Sequence, residues 1–175
     1  MAAQPIAPAS ERWVYIGTYT EKLPHVNGAA EGIYHAKFDP ATGALRVLGV
    51  TGGIANPSFL ALHPSLPVLY AVSEASRTGG EVIAFAIDGA TGALTELNRQ
   101  STHGSSPCHV SVEASGQFAF VANYVTGNVC LYPLTANGEL QPASDVVQHR
   151  GSGINASRQE GPHAHSVTVD PHNRH

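Results

Sequence analysis

The chain has 175 residues, enough for one domain with a buried core, and its 42% hydrophobic content is that of a folded protein. Nine basic against 13 acidic residues give a net charge of −4, with none of the Lys/Arg clusters that nucleic-acid binding requires. There is no apolar stretch long enough to span a membrane, and 18 Gly with 12 Pro announce many turns and few helices.

Residues 1–11, MAAQPIAPASE, carry neither the basic nor the apolar segment of a secretory leader and read as a disordered tail. Cys108 and Cys130 form no CxxC pair or disulfide framework, so two reduced cysteines in a cytoplasmic protein are expected. From residue 12 onward the chain is predicted to be a single partial domain built of copies.

Trp13–Thr18, Gly32–Phe38 and Leu45–Val50 are predicted strands, the last two joined by the turn DPATGAL at 39–45. A complete unit of four follows: Pro57–His63, Val68–Val72, Glu81–Ile87 and Leu94–Gln100. Its turn, DGATGAL at 88–94, repeats the first one about 49 residues on. Next, NPSFLALHPSLPVLYAVSE (56–74) aligns with SPCHVSVEASGQFAFVANY (106–124), and TANGEL (135–140) is a degraded third copy of the turn. GPHAHSVTVDPHNRH (161–175) opens another copy. Four-stranded units of about 40–50 residues are the mark of β-propeller blades, so the fold class is all-β, an incomplete propeller. The first unit lacks its innermost strand and the last stops after one strand, so the chain is expected to be the N-terminal part of a longer protein.

Strand alternation places the loops leading into each first strand on the same side as those leaving each second strand. Glu74, Asn123, Arg158, His163 and His165 then gather at one mouth of the channel, with His109 close by. In register, Ser58-Phe59-Leu60 and Cys108-His109-Val110 correspond to His163-Ala164-His165. Two histidines two apart on a strand point to one side. Imidazole can take a proton from water, and guanidinium can hold phosphate, carboxylate or an oxyanion. The pair also reads as two polar residues in a wet channel, and a zinc site would need a third ligand that the sequence does not specify. Glu74 is equally a ligand contact or a solvated strand end. His63, before Pro64, reads as a turn residue, and Tyr15, Tyr19, Tyr70 and Tyr124 read as packing residues. No nucleophile motif surrounds Cys108, and no Gly-rich phosphate loop, GxSxG elbow or HExxH is present.

The segments YIGTYT (15–20), GIYHAKFDPATGAL (32–45), FAFVANYVTGNV (118–129) and GSGINASRQEGPHAHSVTVDP (151–171) resemble the bacterial lactonase family of the seven-bladed 6-phosphogluconolactonase type. The resemblance extends over residues 13–175 and implies a ring of seven blades, of which about three are represented here. It also implies hydrolysis of 6-phosphogluconolactone to the open acid in the pentose phosphate pathway, without a metal or other cofactor. In that setting His163 or His165 would be the base or polarising group, and Arg158 would bind the anion. Glu74, Asn123 and His109 would support the small-molecule lactone. The same fold resembles fungal carboxymuconate-lactonising enzymes, which close a lactone, and a propeller serving only as a binding scaffold is the remaining alternative.

Overall fold

The computed structural model describes residues 10–23, 26–74, 79–170 and 172. Nearly all of the expected tail, and the last residues of the final repeat, lie outside them. The elements are β1 (Arg12–Ile16), β2 (Lys22–Leu23), β3 (Val26–Asn27), β4 (Ile33–Phe38), β5 (Leu45–Thr51), β6 (Leu60–Leu62) and β7 (Val68–Ser73). They continue with β8 (Glu81–Ile87), β9 (Leu94–Ser101), β10 (Pro107–Val112), β11 (Phe118–Asn123), β12 (Asn128–Pro133) and β13 (Asp145–Gln148). Among the described residues there is no helix, and so none long and apolar enough to cross a membrane.

Three antiparallel sheets form in chain order: β1-β4-β5, β6-β7-β8-β9 and β10-β11-β12-β13. These are the blades read from the repeat, the first without an innermost strand. The short β2-β3 hairpin in the loop leaving β1 was not foreseen. The repeat extends to irregularities. In β5 and β9 the register slips at Leu48 and Leu97, sister positions, so each blade bends where its outer strand joins.

One expected strand is absent. Residues 161–170 are extended against β10, with Ser111 Oγ donating to Val167 O at 2.7 Å, but they join no ladder. A strand needs a partner, and by the repeat this one's partner would be the copy of β11, which would begin beyond residue 170.

The middle blade explains its own sequence. Val68, Tyr70, Val72, Val82 and Ala84 pack against Val110, Ala119, Val121, Cys130, Tyr132 and Leu140 of the third blade. The alternate residues Leu69, Ala71, Ile83 and Phe85 pack with Ile33 and Ile54 on the side of the first blade. Both faces are covered, so β7 is buried throughout and is written as a continuous apolar run rather than an alternating one.

Neighbouring blades share a recurrent bond. Tyr15 Oη donates to Gly92 O at 3.0 Å, and Tyr70 Oη donates to Gly138 O at 2.7 Å. In each case the second strand of one blade reaches the glycine of the next blade's outer turn. Gly92 and Gly138 have φ of 73° and 81°, the left-handed region glycine enters without penalty. A Cβ would drive Gly92 into the Trp13 ring and Gly138 against Val68 and Tyr70. Beside Tyr70, with ring centroids 6.5 Å apart, His63 Nδ1 accepts from the N–H groups of Ser65 and Leu66. The proton therefore sits on Nε2, which donates to Gly116 O at 3.0 Å and ties the second blade to the third. His63 is a turn residue, as its place before Pro64 indicated.

Candidate functional site

A cleft of about 570 Å³ opens where the three blades meet, lined by Tyr19, Ser58, Phe59, Glu74, Ser106, Cys108, Tyr124, Val125, Arg158 and His165. These residues come from loops leaving β1, β7 and β11, loops leading into β6 and β10, β10 itself (Cys108), the 149–161 loop (Arg158) and the segment after it (His165). The mouth inferred from strand alternation is thus a real concavity.

Its walls are built by backbone features at sister positions. Asn56 and Ser106 each precede a proline and hold φ of 45° and 53°, a conformation uncommon for residues other than glycine. Asn56 is fully buried, and its Oδ1 accepts from Thr20 N and Glu21 N, both at 3.0 Å. Its carbonyl accepts from Glu74 N at 3.1 Å. One asparagine therefore sets both the Tyr19 loop and Glu74. In β10 the register slips between Pro107 and His109, leaving Cys108 without a ladder partner and turned into the cleft.

The polar groups fall on two sides. Glu74 Oε2 accepts from Ser58 Oγ at 2.5 Å and Tyr19 Oη at 2.8 Å. Burial first, then the Glu74 hydrogen bond and charge, push the Tyr19 hydroxyl up to about 12. Opposite, Arg158 Nη2 donates to Tyr124 Oη at 3.3 Å. His165 meets the Tyr124 ring edge-on with centroids 5.3 Å apart, and its Nδ1 lies 3.9 Å from Cys108 Sγ. Burial, reinforced by the Glu74 charge, pushes the Cys108 thiol up to about 11, so at neutral pH it is a neutral wall group and not a nucleophile.

Of the six residues singled out in the sequence, Arg158, His165 and Glu74 line the cleft. His163 does not. It stacks on Tyr124 with centroids 4.5 Å apart, its Nδ1 lies 3.0 Å from Tyr124 O, and its Nε2 is 3.2 Å from Glu160. The expectation that both histidines point to one side fails because this segment is not held in a ladder. Asn123 is fully buried and donates from Nδ2 to Thr102 O at 2.8 Å, bracing the loop that carries Ser106. His109 lies tilted against Phe59 with ring centroids 4.5 Å apart, and its Nδ1 accepts from Val167 N at 3.4 Å. Burial, then the neighbouring His165, lowers the His109 pKa.

Sequence reasoning missed Ser58, Asn56 and Tyr19 as site-building residues. Tyr19 and Tyr124, read as packing residues, instead carry hydroxyls at the cleft. The sequence signal was available for Ser58, which occupies the same repeat position as Cys108. Among the described residues no three His, Cys, Asp or Glu side chains gather as a metal ion would need.

Comparison with known proteins agrees with this architecture. The family described as Lactonase, 7-bladed beta-propeller, matches residues 13–175. The 6-phosphogluconolactonase of Bacillus subtilis (strain 168) is 38% identical over 157 residues, covering 90% of this chain and 43% of the relative. The 6-phosphogluconolactonase of Formosa agariphila is 31% identical over 154 residues, 87% of this chain and 42% of the relative. A crystal structure of a putative 6-phosphogluconolactonase from Bacteroides fragilis superposes with a TM-score of 0.83 at 36% identity, over 97% of this chain and 45% of that one. The periplasmic gluconolactonase of Pseudomonas aeruginosa gives the same TM-score of 0.83 at 32% identity, over 94% and 45%. The chain therefore spans less than half the length of these relatives. With the repeat, the three blades and the family match in agreement, this chain belongs to the lactonase family of seven-bladed β-propellers.

Proposed function

We propose that the protein containing this chain hydrolyses a sugar-acid lactone, 6-phosphogluconolactone first among them, and that residues 13–175 supply one side of its active site. The observation that carries this reading is the convergence of Arg158 and His165 on one cleft that Glu74 also lines. The relatives' names support it, being those of 6-phosphogluconolactonases and a gluconolactonase.

In this reaction water adds to the lactone carbonyl carbon, the ring C–O bond breaks, and the products are a carboxylate, a hydroxyl and one proton. His165 takes the proton from the attacking water, since it lines the cleft and an imidazole nitrogen can accept a proton from water. Arg158 holds the phosphate through its guanidinium, for which a planar fork of N–H donors is suited. Tyr124 fixes both: its hydroxyl accepts from Arg158, while its ring bears the edge of one histidine and the face of the other. His163 is thus a positioning residue for Tyr124. We further place the reaction in the cytoplasm and the pentose phosphate pathway. The location rests on two cysteines that form no disulfide, although one structural relative is named as periplasmic.

The test is turnover of 6-phosphogluconolactone and of carboxymuconate by the full-length protein, its His165→Ala and Arg158→Ala variants alongside. Lactone hydrolysis that both variants impair supports the reading. Turnover of carboxymuconate alone would assign the cycloisomerase, and binding without turnover the scaffold.

A further inference from the structure

Glu74 closes β7 and lines the cleft while only 8% exposed. Both of its side-chain hydrogen bonds fall on Oε2, from Ser58 and Tyr19. Oε1 has no hydrogen-bond partner among the described residues, and no Lys, Arg or His of those residues pairs with the carboxylate. Such an oxygen, on a residue that lines the cleft, is an acceptor open to the donors of a ligand. Its placement is built in: Asn56, held at a φ of 45°, accepts from the Glu74 N–H and donates from Nδ2 to the Glu74 carbonyl.

The lining beyond Cys108 has the other character. Arg158 and His165 belong to it, and Cys108 stands between the two walls, within the field of Glu74 and 3.9 Å from His165 Nδ1. The cleft is therefore bipolar, with an acceptor at one side and N–H donors at the other. A ligand that matches it presents hydroxyls to the first and an anion to the second. A ring without hydroxyls would leave Oε1 buried and unpaired, and a polycarboxylate would set like charge against Glu74.

We propose that Glu74, locked by Tyr19 and Ser58, is the specificity-determining residue of this cleft, its Oε1 accepting from the ring hydroxyls of a sugar-acid lactone whose anionic end lies toward Arg158. This rests on the lactonase reading and adds to it an orientation and a reason for selecting polyhydroxylated rings.

The experiment separates the two ideas by using binding rather than turnover. Two unreactive probes, 1,5-anhydroglucitol 6-phosphate and the phosphate of 2-(hydroxymethyl)tetrahydropyran, share the ring and the anion and differ only in ring hydroxyls. Calorimetry on the full-length protein should give a Kd about 10-fold or more lower for the hydroxylated probe. Glu74→Gln, which keeps the shape but turns an acceptor into a donor, should bring the two Kd values to within about twofold of each other. Arg158→Ala should weaken both probes by the same factor. A wild type that binds neither probe, or does not separate them, overturns the proposal. So does a Glu74→Gln variant that weakens both equally or keeps the original ratio. Should Glu74→Gln fail to fold by thermal melting, the wild-type ratio and Glu74→Asp, which withdraws the carboxylate by one methylene, decide in its place. A wild type that separates the probes yet opens no lactone keeps the Glu74 assignment and removes the hydrolase reading.

Discussion

Cys108 lines the cleft and is the residue most easily mistaken for a nucleophile. Its thiol, pushed up to about 11, should resist iodoacetamide at pH 8 and react only as pH climbs through about 10–11; rapid labelling at pH 7 would contradict that environment. His165 and Arg158 separate in kinetics. On the proposed lactone-hydrolysis reading, His165→Ala should lower kcat of the full-length protein by about 10²- to 10⁴-fold, as expected for loss of a general base. Arg158→Ala should act mainly on KM, raising it about 10- to 100-fold, the worth of a charge-assisted hydrogen bond. His109 predicts a pH effect on stability. Its folded pKa is lowered, so below the unfolded value of about 6.5 the unfolded chain takes up the proton first and stability falls as pH drops. The melting temperature should decline from pH 7 to pH 5, and His109→Phe, which keeps an aromatic ring against Phe59, should shallow that decline.

The blade turns are where elements lock to one another, and two glycines of one turn give an internal comparison. Asp88 Oδ1 accepts from Ala90 N and Thr91 N and shapes the turn; its hydrogen bonds, led by that from Thr91 N, hold the carboxyl below its usual range. At Gly92 both the φ of 73° and the Trp13 ring forbid a side chain, whereas nothing stands within 4 Å of a Cβ at Gly89. Gly92→Ala should cost about 2–4 kcal/mol, from left-handed strain plus overpacking. Gly89→Ala should stay within about 0.5 kcal/mol. Denaturant unfolding of the full-length protein measures both.

Across the whole molecule, each blade is finished by its neighbours. Leu45 and Val47 on β5 are 51% and 54% exposed, and Leu48, Val50, Val146 and Val147 are exposed as well. Hydrophobic residues on strands with open edges favour association with other chains. Produced by itself, the 1–175 chain should self-associate or aggregate at micromolar concentration, visible as multiple species in light scattering after gel filtration. A single monomer with one sharp unfolding transition would show that three blades suffice.

The repeat made most of the architecture legible. DPATGAL and DGATGAL located the outer turns, the paired Pro blocks located the inner strands, and alternation alone selected the loops that form the mouth. Those inferences hold because strand periodicity and turn chemistry are local properties of the chain. What the sequence could not tell was the aim of individual side chains at that mouth. The bulge that turns Cys108 inward, the left-handed Asn56 that sets Glu74, and the unladdered segment that sends His165 into the cleft but His163 onto Tyr124 are outcomes of tertiary contacts within and between blades. Contacts between residues from 18 positions apart, as for Asn56 and Glu74, to 57 apart, as for Cys108 and His165, decide them, and no periodicity along the chain encodes such contacts.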